Sequence, residues 1–217
     1  GVQTCALPIL SIIILFVVII AIGLYSSGKI EGVEKAFRTS LFQVVSMLTT
    51  TCFSTDNIIS WGSFYQFLVV IFMVFGACAG STAGGIKIVR IIILFKNSIN
   101  EFKRQVHPNA ILPIRLNNHV ISIDVVTKVL AFIFLYLAIL IFSCLLLALS
   151  GMQFENALGA AVSCLGNVGG GLAEIGNTGS FSEVPTESKW YLSFLMLTGR
   201  LELFTVLSLF MPAFWRR

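Results

Sequence analysis

The amino-acid sequence predicts an all-α membrane protein made of two repeats, each a long helix, a short helix with a re-entrant loop, and a second long helix. Three observations predict it. Of 217 residues, 57% are hydrophobic and 11% charged, with a mean hydropathy of +0.94, a balance that belongs in a bilayer rather than in water. Apolar stretches at residues 10–25, 64–95 and 129–149 approach or exceed the roughly 20 residues that span hydrocarbon, and a fourth at 190–214 is less uniform. Each half of the chain also places a short apolar segment between two long ones, followed by a cluster of threonines or glycines.

The first stretch has no basic residue before it and no small-residue cleavage site leading to a soluble domain, which excludes a secretory signal. The opening residues 1–9, GVQTCALPI, read as a translated sequencing adapter, so native sequence is expected from about Leu10. A helix leaving the cytoplasm at Leu10 arrives outside near Ser26, and the next must return from outside near Trp61. Between them Ala36, Phe37, Leu41, Val44, Val45 and Leu48 recur at helical spacing and run into Thr49, Thr50, Thr51, Cys52 and Phe53. A short helix that dips into the bilayer and returns satisfies that parity.

The second stretch is too long for one crossing. As a straight helix, residues 61–96 would measure about 54 Å against a hydrocarbon core of about 30 Å. It is expected to tilt, bend or break at residues 76–85, where Gly76, Gly80, Ser81, Thr82, Gly84 and Gly85 lie. Small residues there serve either tight helix packing or an uncoiled, movable segment, and composition does not separate the two. The run lacks Walker spacing, which excludes a phosphate loop.

Residues 101–123 read as a cytoplasmic connection. Lys87, Arg90, Lys96, Lys103, Arg104 and Arg115 crowd the passage between the second and third apolar stretches and Arg216 and Arg217 end the chain, so both are assigned to the inside. Pro108, Pro113, Asn117 and Asn118 predict irregular or hairpin structure, with His107 and His119 as ordinary loop residues. Glu174, Glu183 and Glu187, without a basic residue among them, mark residues 174–187 as exterior. The second unit, residues 124–217, then repeats the first, residues 10–100, in the same direction. Its short helix carries Phe154, Ala157, Leu158, Ala161 and Val162, followed by Gly166, Asn167, Val168, Gly169, Gly170 and Gly171.

Several functions are excluded. The five cysteines lack CxxC spacing and read as packing residues, nothing forms a basic nucleic-acid face, and no histidine lies at membrane depth to activate Ser163 or Cys164 as an enzyme nucleophile. Non-helical backbone at that depth needs partners for its carbonyls, because each unpaired group costs several kcal/mol in lipid. A dehydrated cation supplies one partner to many oxygens, and the negative C-terminal ends of helices aim at it. Residues 49–53 or 166–171 taken alone are an ordinary turn; their recurrence at matching positions of two units points to an ion filter. Arg200 and Glu202, in the last apolar stretch, are expected to face protein or water, as a salt bridge, a filter support or a charge beside the ion path.

The motifs TTTCFSTDN at 49–57, GACAGSTAGGIKIVR at 76–90, HPNAILPIR at 107–115, GNVGGGLAEIG at 166–176 and GRLELFTVLSLFMPAFWRR at 199–217 carry a resemblance across nearly the whole chain. Together they are similar to the C-terminal half of the TrkH and KtrB superfamily of potassium transporters. The resemblance implies pore units three and four of a four-unit potassium-uptake protein of the bacterial inner membrane, whose N-terminal half lies outside this chain. It implies potassium contacts at Thr50, Thr51, Cys52, Asn167, Val168 and Gly169, filter support from Thr49, Phe53 and Gly170, a gate at Gly76, Gly80, Ser81, Thr82, Gly84 and Gly85, and a pathway charge at Arg200. It further implies a homodimer, a cytoplasmic nucleotide-binding regulatory ring, and no cofactor beyond potassium as substrate. The family pattern has glycine where Cys52 stands and commonly proline where Gly170 stands. A side chain held at positive φ costs about 1 kcal/mol or more, so a less selective pathway passing sodium as well, or a non-conducting fragment, are the alternative readings.

Overall fold

A computed structural model describes residues 3–76, 81, 84–107, 112–116, 119–170 and 181–215. Helix α1, Gln3–Ser26, is apolar on every side, the pattern of a helix that faces lipid as well as protein. After a short polar turn, α2 runs over Val33–Leu48 and packs along α1. The chain comes back through a one-turn helix α3, Ile58–Trp61, capped by the Asn57 side chain, into α4, Ser63–Val74. Tyr65 from α4 reaches α1 at Gly23, where any Cβ would collide with the phenol. The buried side chains of α1 to α4, among them Val17, Leu24, Val44, Met47, Trp61 and Phe72, form the core of this first unit. A fully buried apolar side chain contributes about 1.5–3 kcal/mol.

Of the tilt, bend or break expected in the long second stretch, the structure shows a break. Helix α4 stops at Val74, and Phe75–Gly76 and Ile86–Lys87 form a two-residue parallel ladder, β1 and β2, before α5 resumes over Ile88–Val106. Breaking a helix orphans backbone groups, and this ladder pairs some of them again. The connection between the two units carries a small antiparallel hairpin, β3 Arg115–Leu116 with β4 His119–Val120.

The second unit follows the same order. Helix α6, Ile123–Leu149, is long enough to span; α7, Phe154–Gly166, packs between α6 and α8, Thr186–Arg200. Residues 157–166 of α7 are buried apart from a half-buried Leu158, because alanines and glycines let its neighbours close around it. The last apolar stretch does not continue straight. It bends by 115° between α8 and α9, Leu203–Leu209, and ends in a single turn, α10, Pro212–Trp215. Contacts of α4 with α7 join the units, and Val162 and Val168 of the second unit sit in the core of the first. Among the described residues, two helices are long and apolar enough to cross a membrane, and three if the bent pair is one span.

Candidate functional site

The ends of the two short helices are built alike. At the end of α2, the Thr50 amide donates to Met47 O at 3.2 Å and the Thr51 amide to Ser46 O at 3.0 Å. At the end of α7, the Asn167 amide donates to Cys164 O at 3.3 Å and the Val168 amide to Ser163 O at 3.0 Å. Both are the Schellman closure, three and five residues back, which demands one left-handed residue just past the helix. That residue is Thr50, φ 56°, in one unit and Asn167, φ 54°, in the other. Asparagine tolerates the left-handed region; a β-branched threonine there is strained.

The equivalence continues along the strands. Two residues on, Cys52 has φ 58° and Gly169 has φ 93°, so each strand carries left-handed residues at its first and third positions. The side chain at position 52 is therefore held where the sequence reading placed the difficulty, at positive φ. One constant offset relates Thr50 to Asn167, Cys52 to Gly169 and Ser46 to Ser163.

The two strands are supported differently. Ser46 Oγ donates to Phe53 O at 2.7 Å. Gln43, buried in α2, donates through Nε2 to Ser54 Oγ at 3.0 Å, and Ser54 Oγ donates to Asp56 O at 2.7 Å. Trp61 Nε1 donates to Asp56 Oδ2 at 3.2 Å, fastening the returning limb. Thr49 Oγ1 donates to Val45 O at 2.7 Å and lies 2.8 Å from Thr51 Oγ1. In the second unit Ser163 Oγ, equivalent to Ser46 Oγ, is buried without a hydrogen-bond partner among the described residues, as is Asn167 Nδ2. Val168 is 3% exposed because it packs into the first unit's core, whereas Phe53 is 68% exposed. The strands also meet: a Cβ on Gly170 would overlap Cys52 Sγ.

Of the expected gate residues, Gly80 and Thr82 lie outside the described residues. Gly76, Gly84 and Gly85 join a node of close backbone approaches at the base of the second strand. A Cβ on Gly84 would stand 2.5 Å from Gly166 O, one on Gly166 2.6 Å from Met73 O, and one on Gly85 2.7 Å from Val74 O. Gly76 approaches Gly84 O, and Gly199 approaches Leu165 O, closer still. Ser81 Oγ is buried and has no hydrogen-bond partner among the described residues.

Beside this node is a cavity of about 210 Å³ lined by Ser81, Gly84, Gly85, Lys87, Arg90, Arg200 and Glu202, with Phe132 and Tyr136 behind. Glu202 sits in the bend of the last stretch with φ 62°. It accepts from Lys87 Nζ at 2.7 Å and lies 3.6 Å from Arg90 Nη2, while the Arg90 guanidinium covers the Phe132 ring at 3.8 Å. Of the readings held open for Glu202, the interhelical salt bridge is the one observed. Arg200 lines the same cavity. Lys87 and Arg90, counted with the loop cations in the sequence, instead neutralise this carboxylate. Ser46, Gln43, Asp56, Lys87, Arg90 and Tyr136 were not singled out as site residues from sequence. The one available signal was charge complementarity between cations after the glycine run and an acid in the last apolar stretch.

A multi-pass helical protein with two matched, non-helical strands at the ends of buried short helices, and charges gathered round an internal cavity, falls in the class of membrane cation-transport proteins. Comparison with known proteins specifies it. The TrkH family model, "Cation transport protein", matches residues 2–217. The chain is 38% identical over 200 residues to the Trk system potassium uptake protein TrkH of Escherichia coli K12, covering 92% of this chain and 41% of that protein. It is 34% identical over 209 residues to the Trk system potassium uptake protein TrkI of Halomonas elongata, covering 95% and 42%. The crystal structure of the potassium transporter TrkH from Vibrio parahaemolyticus superposes with a TM-score of 0.89 at 35% identity, over 96% of this chain and 44% of that one. The chain belongs to the TrkH family of cation transport proteins, and its place is the bacterial inner membrane. It spans about two-fifths the length of the curated relatives it matches.

Proposed function

We propose that this chain supplies two of the four helix, pore-helix, helix units of a potassium-uptake pore, unit three at residues 10–100 and unit four at 124–217, joined by the cytoplasmic connection 101–123. Its activity is transport, not catalysis. The observation that carries the proposal is the matched pair of strands, Thr50, Thr51, Cys52 and Asn167, Val168, Gly169, each opening with a Schellman closure and alternating left-handed residues. Such alternation turns successive carbonyls towards a common side, where they replace the hydration shell of potassium, the substrate. Thr49, Phe53 and Gly170 support the strands. Residues 76–85 act as the gate, with Gly76, Gly84 and Gly85 packed at the base of the second strand, and Arg200 sets a positive charge beside the path.

The exposed face of α2, with Phe37, Leu41 and Phe42, and the apolar cavity it lines with Thr51 and Phe53, support a neighbouring unit from an N-terminal half of the same protein. α7, buried over residues 157–166 apart from a half-buried Leu158, has no such need. A second copy of the protein and a nucleotide-binding cytoplasmic ring are the further partners implied. A less selective potassium and sodium pathway is the second reading, favoured by the side chain at Cys52, φ 58°. The chain alone, with two of four strands, is expected not to conduct.

The test is uptake of rubidium and sodium by a potassium-starved host expressing the complete transporter that contains this chain. Rubidium uptake that exceeds sodium uptake and falls when Asn167 is replaced by valine supports the proposal. Equal uptake of both ions favours the second reading, and no cation uptake removes both.

A further inference from the structure

Cys52 holds a backbone state that L side chains seldom adopt, φ 58°, yet its thiol is not left in open space. It packs against the core that contains Val44 and Val168 and fills the place where a side chain of residue 170 would be. Gly170 is not among the residues at positive φ, so conformational freedom is not what a glycine supplies there. Room is. Within 4 Å of a Cβ built on Gly170, the atoms met among the described residues are Sγ and Cβ of Cys52, the latter at 3.6 Å. By contrast Gly169, the residue equivalent to Cys52, has nothing among the described residues within 4 Å of its missing Cβ, and Phe53, equivalent to Gly170, points a large ring outwards at 68% exposure. The two strands are therefore asymmetric at one point, where a side chain of the third-unit strand occupies the space vacated by the fourth.

We propose that Cys52 and Gly170 form one specificity-determining pair: the thiol of one filter strand fills the side-chain space of the other and spaces the two strands, so ion discrimination depends on the combination and not on either residue. A side chain at 52 requires its absence at 170. This inference rests on the reading of both strands as a filter, and its test separates the contact from the transport.

The contact is tested by thiol labelling, in the complete protein, with the cysteines other than Cys52 replaced by alanine. A methyl group at position 170 must push the thiol out, so Gly170→Ala is expected to raise the rate of methanethiosulfonate labelling of Cys52 by roughly tenfold, the scale on which overpacking acts. An unchanged rate overturns the contact. Should Gly170→Ala fail to fold, recovery of folded protein by C52G/G170A supports the pair, and failure of the double variant overturns it. Selectivity is tested by the ratio of rubidium to sodium uptake across the cycle. Cys52→Gly and Gly170→Ala are each expected to change the ratio, and C52G/G170A to return it to within about twofold of the starting protein, since independent sites combine within that margin. Independent effects of the two substitutions overturn the proposal. If the starting protein takes up neither ion, the transport reading falls while labelling still decides the contact.

Discussion

Lys87 Nζ donates a 2.7 Å hydrogen bond to Glu202 Oε1 across 115 positions of sequence. One partner follows the glycine break and the other sits at the bend of the last apolar stretch, so one ion pair ties together the two places where helices are interrupted. Both side chains keep some access to water, 20% and 47% exposed, which places the pair between a surface bridge and a buried one.

Breaking it should therefore cost little stability but leave Lys87 and Arg90 without their shared counterion. Glu202→Gln is expected to lower stability by about 1 kcal/mol, and adding Lys87→Met should cost less than it does alone. A double-mutant cycle of thermal unfolding in detergent checks this. Strict additivity would show that the pair contributes nothing.

At Thr50 the strain is in the backbone. A β-branched residue at φ 56° is disfavoured where glycine or asparagine is at ease, so Thr50→Gly should stabilise the folded chain by about 1 kcal/mol. Asn167→Val, at the equivalent turn, should destabilise it by a similar amount. The two unfolding midpoints must move in opposite directions.

The two serines at equivalent positions should respond unequally. Ser46→Ala removes the donor that holds Phe53 O at 2.7 Å and should cost about 1 kcal/mol. Ser163→Ala removes a buried hydroxyl that has no partner among the described residues, and should be neutral or slightly stabilising. Equal losses measured by denaturant unfolding would refute the asymmetry of the strands.

The glycine node should be intolerant of a single methyl group. In Gly84→Ala the new carbon would meet Gly166 O at 2.5 Å, and a backbone oxygen within α7 has little freedom to yield. The expected loss is about 1–3 kcal/mol, read as a lower unfolding temperature. In the complete transporter, a change in uptake rate should accompany it if residues 76–85 act as a gate.

Much of this was legible in one dimension. Apolar length marked the spans, and the excess length of residues 61–96 required a tilt, bend or break, of which the structure shows a break between Val74 and Ile88. The asparagines and prolines of the connection announced irregular or hairpin structure, and a hairpin of β3 and β4 is what forms; recurrence of turn-forming residues after two short helices marked where both strands lie. The bend at residues 201–202 was less legible, because the Arg200 and Glu202 that accompany it read equally as charges on a straight helix.

What the sequence by itself determined is where the chain enters apolar surroundings and where it cannot stay helical, since burial energy and backbone dihedrals are set residue by residue. Only the tertiary structure decided which residues meet: that Lys87 and Arg90 close on Glu202, that Gly84 lies on Gly166, and that the thiol of Cys52 rests in the space left by Gly170. Those are distances between separate helices. They depend on how the two units pack, and side-chain contact between remote segments leaves no local trace in a single sequence.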